Sequence, residues 1–319
     1  MRAIVVTEHG GPEVLELRDE PTPEAGPGRV VVGVETAGVN YRDVYERVGG
    51  GYAPGTPPFV AGVEGAGTVQ AVGEGVATIA AGDRVAWVAG QGSYAEQVAV
   101  DADAVVPVPE GVSHEDAAAV LLQGITAQYL TTSTYPVAEG DTVVVHAAAG
   151  GVGLLLTQIV KLRGARVIAT TSTPEKAALA RDAGADEVIG YDELRDDTGA
   201  AVVYDGVGKA TFDRSLAALR PRGTMVLYGA ASGQPDPVAP ATLAGKSLFL
   251  TRPGLPAYTA DRAELLARAD DVFGWLAAGK LSVRIGERYA LEDARRAHED
   301  LEARRSTGKL VLAVADRLQ

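Results

Sequence analysis

The spacing of hydrophobic and polar positions changes once along the chain. Before residue 110, apolar runs such as RVVVGVETAG are short and are separated by Gly and Pro. Short strands with turn residues between them are typical of a compact, barrel-like β unit. Ser113, followed three residues later by Asp116, then has the form of a capping box, which predicts that a helix begins in the Ala-rich segment beyond it.

From Thr142 onward, predicted strands alternate with predicted helices. The predicted strands are TVVVHA, ARVIATT, EVIGY, AVVYD and TMVLYG, and the predicted helices are Gly151–Leu162, PEKAALARDAG and a segment near Ala210–Leu219. This alternation predicts an α/β fold with a doubly wound parallel sheet. Between EVIGY and AVVYD there is little room for a helix, so we predict a shortened connection there. A last amphipathic helix, with Leu265 and Leu276 on its apolar face, is predicted to end at Gly279.

Composition and charge exclude several classes of function. A chain of 319 residues with 46% hydrophobic content can bury a sizeable core and suggests two domains. The net charge of −13 and the lack of a basic stripe argue against nucleic-acid binding. The sequence contains neither an apolar run long enough to span a membrane nor the pattern of a signal peptide, so neither is expected. The lack of cysteine excludes disulfides and thiolate ligands and agrees with a cytoplasmic location.

The segment VVVHAAAGGVG (143–153) has the pattern of a dinucleotide-binding turn. Such a turn needs a strand, a tight bend with bare backbone, and a helix whose N-terminal amides face a diphosphate. Gly150 would allow the phosphates to approach, and Gly153 would allow the helix to pack on the sheet. Ala148 replaces the first glycine, which is tolerable only if its φ is negative. The alternative is an ordinary glycine-bearing turn, but the strand and helix on either side favour a nucleotide site.

The end of the second predicted strand indicates which nucleotide is bound. NAD sites usually place Asp or Glu about 20 residues beyond the glycines, on the ribose 2′-hydroxyl. Here that stretch is ATTSTPEK (169–176), and hydroxyl side chains occupy the strand end. Thr173 is predicted as the N-cap of the next helix and Pro174 as its first residue, which places Glu175 in the first helical turn. The small hydroxyls and the nearby Lys176 favour NADP(H) over NAD(H).

Collinear segments across nearly the whole chain resemble one family, the zinc-free quinone oxidoreductases of the medium-chain dehydrogenase/reductase superfamily, which are NADPH-dependent and related to zeta-crystallin. The segments that carry the resemblance are HGGPEVLEL (9–17), AGVNYRDVYERVG (37–49), PFVAGVEGAGTV (58–69), AGDRVAW (81–87), QGITAQYL (123–130), HAAAGGVG (146–153), VVYDGVGKATFDRSLAALRPRG (202–223), LTRPGLPAYTADRAEL (250–265) and DARRAHEDLEARRSTGKLVL (293–312). Their number and order are specific for the family, although not for the substrate.

The resemblance implies two domains with the cofactor between them. A GroES-like β-barrel catalytic domain would comprise residues 1–118 and 255–319, and a Rossmann NADP-binding domain would comprise residues 119–254. The zinc-dependent relatives carry a Cys at or near the position of Asn40, a His at the position of Val63, and a structural loop with four cysteines. Because this chain has none of these, neither a catalytic nor a structural zinc is expected.

The resemblance also implies roles for individual residues. Asn40 would lie near the nicotinamide carboxamide, and Tyr45 and Tyr52 would line the substrate side. The other implied cofactor contacts are Thr126 and Tyr129 facing the cofactor; Ala149, Gly150, Gly151 and Val152 around the pyrophosphate; Ser172, Lys176, Tyr191 and Arg304 around the adenosine ribose and 2′-phosphate; and Gly206, Tyr228 and Arg252 on the nicotinamide side.

Several of these residues have a structural alternative. Tyr45, Tyr52 and Tyr129 could be packing residues with a hydrated hydroxyl, as half-buried tyrosines often are. Arg252 could pair with an acid on the surface. His146, directly before the glycine turn, is interpreted as a structural residue, and no general base is assigned.

These features predict an enzyme that transfers hydride from the nicotinamide of NADPH to a quinone without a metal. Catalysis would come mainly from positioning two flat reactants and excluding water. The proton for the reduced product could come from solvent or from a tyrosine hydroxyl. The alternatives are a reductase of the activated double bond of an enone or alkenal, and a non-catalytic NADPH-binding protein like the crystallin relatives. An RNA-binding role, known among such relatives, is disfavoured by the acidic charge.

The apolar segment KSLFLTR (246–252) predicts a homodimer. In the family that the chain resembles, such a strand commonly pairs with its twin and joins the two sheets. An unpaired edge strand of this kind would otherwise promote aggregation.

Overall fold

The computed structural model describes residues 1–50, 55–88 and 90–315. Its strands, in chain order, are β1 (Arg2–Val6), β2 (Leu15–Asp19), β3 (Arg29–Val39), β4 (Phe59–Val60), β5 (Gly65–Val72), β6 (Arg84–Trp87), β7 (Gln97–Asp101), β8 (Val105–Pro107), β9 (Thr142–Val145), β10 (Arg166–Thr170), β11 (Glu187–Ile189), β12 (Ala200–Asp205), β13 (Leu219–Leu227), β14 (Phe249–Thr251), β15 (Ile285–Ala290) and β16 (Lys309–Ala313). Its α-helices are α1 (Tyr41–Arg47), α2 (His114–Tyr129), α3 (Gly151–Leu162), α4 (Pro174–Asp182), α5 (Phe212–Ala218), α6 (Ala241–Ala244), α7 (Pro256–Thr259), α8 (Arg262–Ala277) and α9 (Ala294–Glu302).

The chain folds into two compact units. The first unit comprises Met1–Leu122, Asp261–Ala277 and Val283–Gln319, and the second comprises Gln123–Ala260 and Ala278–Ser282. The C-terminal part of the chain thus returns to the unit formed by the N-terminal part. No helix in the described part of the chain is both long and apolar enough to cross a membrane.

The first unit is built mainly from β-strands. One sheet has the order β15-β16-β3-β5-β6-β8, with β7 also paired to β3, and a smaller sheet has the order β2-β1-β4. Strand β3 is central and pairs antiparallel with β16, β5 and β7, so its carboxyl end lies beside the amino ends of β5 and β16. The core between these strands includes Val32, Trp87 and Leu312. This is the β unit that the short, Gly- and Pro-bounded runs predict.

The second unit contains a parallel six-stranded sheet with the order β11-β10-β9-β12-β13-β14. The apolar runs of β9 and β12 are buried almost throughout, as expected for strands covered on both faces. The strand order reverses direction between β9 and β12, and such a switch point is where open α/β sheets bind ligands, outside the carboxyl ends of their strands. The predicted doubly wound sheet is confirmed.

Local signals in the sequence match the observed element ends. The Ser113 hydroxyl accepts from the backbone amide of Asp116 at 2.9 Å, and the Thr173 hydroxyl accepts from that of Lys176 at 3.3 Å. Helix α8 ends two residues before Gly279, which is left-handed with φ of 66°. Between β11 and β12, the described chain forms a 3₁₀ turn at Tyr191–Glu193 in place of a longer helix, so the shortened connection is confirmed.

Candidate active site

The glycine-rich turn joins β9 to α3 at the carboxyl end of the parallel sheet. Gly150 is the N-cap of α3, and its amide donates to the carbonyl of Ala147 at 2.9 Å. The left-handed residue of the turn is Ala147, with φ of 51°, and not Ala148, which the sequence analysis required to have negative φ. Gly150 has no side chain to cap the helix, so the first backbone amides of this twelve-residue helix carry no side-chain cap. A helix N-terminus of this kind is suited to binding a diphosphate.

Two glycines of this turn have different neighbours. A Cβ on Gly153 would lie 2.7 Å from the Cα of Ala148 and would also overlap the Ala147 carbonyl, both of which are backbone atoms. A Cβ on Gly151 would overlap only the end of the Gln123 side chain. Gly153 is thus required for close packing of the helix on the strand, which is the role that the sequence predicts for it.

A cavity of about 230 Å³ lies at the carboxyl ends of β10 and β11. Its walls come from the segment after β10, the first turn of α4 and the segment after β11, and the lining residues are Thr171, Ser172, Thr173, Pro174, Ala177, Val188, Ile189, Gly190 and Glu193. Ser172, one of the residues expected around the adenosine, lines this cavity. Lys176 and Tyr191 directly adjoin it in sequence, and the Tyr191 ring stacks on His146 with centroids 5.9 Å apart.

The carboxyl ends of β12 and β13 bring together three predicted residues of the nicotinamide side. A Cβ on Gly206 would lie 2.8 Å from the Tyr228 hydroxyl, so only glycine leaves room for that ring. The Arg252 guanidinium donates to the carbonyls of Leu227 at 3.1 Å and Gly229 at 2.9 Å. Arg252 therefore ties β14 to the end of β13 through carbonyls, and no acid partner for it is seen among the described residues.

A buried polar cluster links the carboxyl ends of β10, β9 and β12. His146 Nδ1 lies 2.8 Å from the Thr170 hydroxyl, and Nε2 lies 2.9 Å from the Ser215 hydroxyl. Ser215 donates to Asp205, whose other carboxylate oxygen accepts from the amides of Val207 and Gly208. Burial lowers the pKa of His146, which is therefore neutral at pH 7. Because both ring nitrogens are occupied, His146 is structural, as interpreted from the sequence.

Tyr129 and Thr126 lie on the buried last turns of α2. The Tyr129 ring stacks on that of Tyr258, with centroids 4.1 Å apart and planes 7° from parallel. The Tyr258 hydroxyl accepts from Thr134 at 2.9 Å. One face of Tyr129 is thus used for packing, and Tyr258 is a neighbour that the sequence analysis did not identify.

In the first unit, Asn40 follows β3 as the N-cap of α1 and is 93% buried. Its amide nitrogen donates to Glu64 at 3.2 Å, and its amide oxygen accepts from Lys309 Nζ at 2.9 Å. Glu64 and Lys309 form an ion pair that is almost completely buried. Both residues stand in quoted segments, but neither was assigned a role. The signal that could have found them is a single charged residue within an otherwise apolar strand region.

Asp43, in the first turn of α1, is also buried. It accepts from the Asn40 backbone amide at 2.8 Å and from the Tyr94 hydroxyl at 2.9 Å, both at Oδ2. Burial, aided by the nearby Glu46, raises the pKa of Asp43 to about 7. Asp43 Oδ1 and Glu64 Oε2 are buried without a hydrogen-bond donor among the described residues.

The side chains around Asn40 do not suit a zinc ion. Val63 is an apolar side chain with no exposed surface, and the Lys309 ammonium already lies against Asn40 and Glu64. A second cation at this place would be repelled by that ammonium. No group of three or more potential metal ligands occurs among the described residues.

Tyr45 and Arg304, two further predicted site residues, belong to the first unit. Tyr45 is half-buried on α1, and its ring lies 6.2 Å from that of Tyr41. Arg304 is an exposed, left-handed residue of the first unit, directly after α9, with φ of 57°. Tyr52 lies outside the described residues.

Two family models match the chain, each in one part of it. Residues 26–110 match the alcohol dehydrogenase GroES-like domain, and residues 151–268 match the zinc-binding dehydrogenase domain. A quinone oxidoreductase of Pseudomonas aeruginosa is 44% identical, covering 98% of this chain and 99% of its own. The chain belongs to the quinone oxidoreductase family of the medium-chain dehydrogenases/reductases. The predicted family and the fold class, a GroES-like domain plus a Rossmann domain, are confirmed.

Two further similar proteins are known by a bound cofactor or a named substrate. A mycobacterial protein, solved in complex with NADPH, superposes with a TM-score of 0.95 at 48% identity, covering 98% of this chain and all of the other. A 2-haloacrylate reductase of a Burkholderia species is 36% identical over 97% of this chain and 98% of its own. One similar protein is thus solved with NADPH, and another is named a 2-haloacrylate reductase.

Proposed function

We propose that this protein is an NADPH-dependent quinone reductase that needs no metal. The observation that carries the proposal is the nucleotide site of the second unit, where an uncapped helix N-terminus and a hydroxyl-bearing cavity lie at the carboxyl ends of neighbouring parallel strands. Membership of the quinone oxidoreductase family, at 44% identity over nearly the full chain, supports the acceptor class.

The residues of the second unit fit NADPH. The amides of Gly151 and Val152 at the start of α3 would hold the diphosphate, and the nearby cavity would take the adenosine. The wall of that cavity carries the hydroxyls of Ser172 and Thr173, with Lys176 one turn away, and these groups suit a 2′-phosphate. The carboxylate of Glu175 interacts with the helix start, since its own amide and Thr173 lower its pKa. It is therefore not placed like the acid of an NAD site.

NADPH, when bound, supplies the hydride. The reaction then balances as quinone plus NADPH plus one proton giving hydroquinone plus NADP⁺. A conjugated quinone spreads the incoming negative charge over its ring, so it needs no metal to polarise a carbonyl. The protein's part is to hold the two flat reactants together and to exclude water. We assign Asn40 to the nicotinamide side and Tyr45 to the acceptor side, as the family resemblance implies.

The test is the absorbance of NADPH at 340 nm with the purified protein and two panels of acceptors, one of small quinones and one of small enones. We expect turnover with quinones, faster with NADPH than with NADH. No turnover with any quinone, together with tight binding of NADPH, would overturn the proposal and favour a non-catalytic binding protein.

A second candidate function is reduction of an activated carbon–carbon double bond. It is favoured by the 2-haloacrylate reductase that matches over nearly the whole chain at 36% identity. Hydride delivery to an alkene conjugated with a carbonyl uses the same positioning of two flat reactants. Turnover in the enone panel alone would establish this function and leave the cofactor site unchanged.

We further propose that the protein forms a homodimer through β14. This strand lies at the edge of the parallel sheet, and its Phe249 side chain is 62% exposed. An exposed apolar edge strand is a template for pairing with a second chain. We expect a dimer in sedimentation velocity at about 10 μM and a monomer for Phe249→Glu. Leu162→Glu, at an exposed apolar site on α3, is the control, and a monomeric parent protein would contradict the proposal.

A further inference from the structure

A side-chain amide from α2 lies against the first residue of α3. The three atoms nearest to a Cβ added at Gly151 are Oε1, Cδ and Nε2 of Gln123, and Oε1 is the nearest of them. Glycine at position 151 therefore leaves the space that this amide occupies. Both residues belong to the second unit, so the contact lies within one compact body.

The amide oxygen of Gln123 has no hydrogen bond in this position. Gln123 is only 8% exposed, and its Oε1 atom is buried without a donor among the described residues. A buried polar atom without a partner destabilises a protein, and each one in a folded structure calls for an explanation. Packing alone would favour an apolar side chain of the same length, such as methionine.

The helix start next to this amide attracts negative charge. The N-terminal backbone amides of a helix carry a partial positive charge, and the N-cap of α3 has no side chain to neutralise it. The oxygen of Gln123, which is the negative end of the amide dipole, lies against the first residue of this helix. An anion bound at the helix start would compete with that oxygen for the same positive charge.

Binding of an anion should reverse the Gln123 amide. A diphosphate accepts hydrogen bonds, so it would repel Oε1 and attract the NH₂ of the same amide. The terminal torsion of glutamine is broad and roughly two-fold. A half-turn about it breaks no hydrogen bond at Oε1, because none is made there among the described residues, and it brings NH₂ to the place of the oxygen.

We propose that Gln123 is a further cofactor-binding residue, whose amide turns over to donate a hydrogen bond to the diphosphate of NADPH at the start of α3. The inference rests on the proposed NADPH-dependent function. It adds a side-chain donor from α2 to the backbone amides of Gly151 and Val152. The buried oxygen without a donor is then explained, because Gln123 is placed for the ligand and not for the stability of the ligand-free protein.

Cofactor fragments test this inference directly. 2′-Phospho-ADP-ribose keeps the diphosphate and lacks the nicotinamide, whereas adenosine 2′-monophosphate lacks the diphosphate. In calorimetric titrations we expect Gln123→Met to bind 2′-phospho-ADP-ribose about tenfold more weakly than the parent, the loss expected for one charge-assisted hydrogen bond. Binding of adenosine 2′-monophosphate should be unchanged. Gln123→Glu, whose carboxylate cannot donate and repels the diphosphate, should lose at least as much affinity as Gln123→Met.

The stability of the ligand-free protein separates this role from a structural one. Methionine leaves no buried oxygen without a donor, so the urea midpoint of Gln123→Met should be no lower than that of the parent. The matched control is Gln158→Met on α3. The Gln158 amide donates to the Ser282 carbonyl at 3.1 Å and accepts from the Ser282 backbone amide at 2.8 Å. This control should lower the urea midpoint and keep the affinity for both fragments.

Failure of the inference and failure of the proposed function give different results. If Gln123→Met binds both fragments like the parent, or loses affinity for both equally, the inference is overturned and the proposed function is left intact. Failure of the unaltered protein to bind 2′-phospho-ADP-ribose and to oxidise NADPH overturns the proposed function and the inference with it. A selective loss for 2′-phospho-ADP-ribose, without a lower urea midpoint, supports the inference.

Discussion

The imidazole of His298 lies edge-on to the ring of Tyr94, with centroids 5.9 Å apart, and its Nε2 atom is 3.2 Å from the Tyr94 hydroxyl. The other ring nitrogen, Nδ1, lies 3.0 Å from the Arg47 guanidinium. Because guanidinium can only donate, Nδ1 accepts and the ring proton is on Nε2. Tyr94 therefore accepts from His298 and donates its own proton to Asp43. Four buried polar residues thus form one directed series of hydrogen bonds, which runs from Arg47 of α1 through His298 of α9 and Tyr94 to Asp43 of α1.

The carboxyl group at the end of this series should make stability depend on pH. Burial raises the pKa of Asp43 to about 7, whereas an unfolded Asp titrates near pH 4. Between these values the folded protein holds a proton that the unfolded chain has released. This contribution to stability is therefore lost as the pH rises, by about 1.4 kcal/mol per pH unit. In urea titrations over this pH range, the free energy of unfolding of Asp43→Asn should fall less with rising pH than that of the parent protein.

The control for this comparison is Asp213→Asn, at an exposed position on α5. Its free energy of unfolding should stay parallel to that of the parent over the same pH range. Curves for Asp43→Asn and the parent that also run parallel would show that Asp43 titrates alike in both states.

His298, between Arg47 and Tyr94 in this series, should have the opposite effect on how stability depends on pH. Burial and the charge of Arg47 lower the pKa of His298 to about 3, against about 6.5 in an unfolded chain. Between these values the unfolded chain holds the extra proton, so stability rises with pH and is lost as the pH falls. His298→Gln, whose amide can accept from Arg47 and donate to Tyr94, should remove this acid sensitivity. Urea titrations between about pH 4 and 6.5 measure it, and an unchanged slope in the variant would contradict the assignment.

The fold could be predicted where the hydrophobic pattern is regular, and less well where buried charges interrupt it. The alternating strands and helices from β9 to β13 follow from apolar runs that are covered on both faces. Helix α1 has the sequence YRDVYER, which carries no apolar stripe, and its buried residues include Asp43, Glu46 and Arg47. These charges are buried because of partners far along the chain, such as Tyr94 and His298. No local pattern contains that information.

The same distinction applies to the candidate site. The glycine turn and the hydroxyl-bearing strand end are local, and the sequence analysis placed both correctly between a strand and a helix. Glu64 and Lys309 are 245 residues apart and meet only because β5 and β16 lie on either side of β3. The negative φ required of Ala148 is observed, but the left-handed conformation of Ala147 was not predicted, because the sequence does not reveal which of three consecutive alanines bends the chain.

Lys176 should determine the preference for NADPH. It lies in the first turn of α4, beside the cavity that Ser172 and Thr173 line. We expect Lys176→Ala to weaken NADPH binding about tenfold, as for loss of one charge-assisted hydrogen bond, and to leave NADH binding unchanged. Fluorescence titration with both nucleotides measures this, and Lys280→Ala, at an exposed position of the second unit, controls for the change in net charge. An equal loss for both nucleotides, or a parent that binds both equally well, would contradict the 2′-phosphate assignment.

The two glycines at the start of α3 should respond differently to the same added methyl group. In Gly153→Ala the new Cβ meets backbone, the Cα of Ala148 at 2.7 Å, so the helix must move away from the strand. Overpacking of this kind costs about 1–3 kcal/mol in the free energy of unfolding. In Gly151→Ala the Cβ meets only the end of the Gln123 side chain, which can rotate, and alanine is a better helix former than glycine. We therefore expect a clear loss of stability in urea for Gly153→Ala and almost none for Gly151→Ala. Equal losses would mean that the helix start is not packed on the strand as closely as the structure shows.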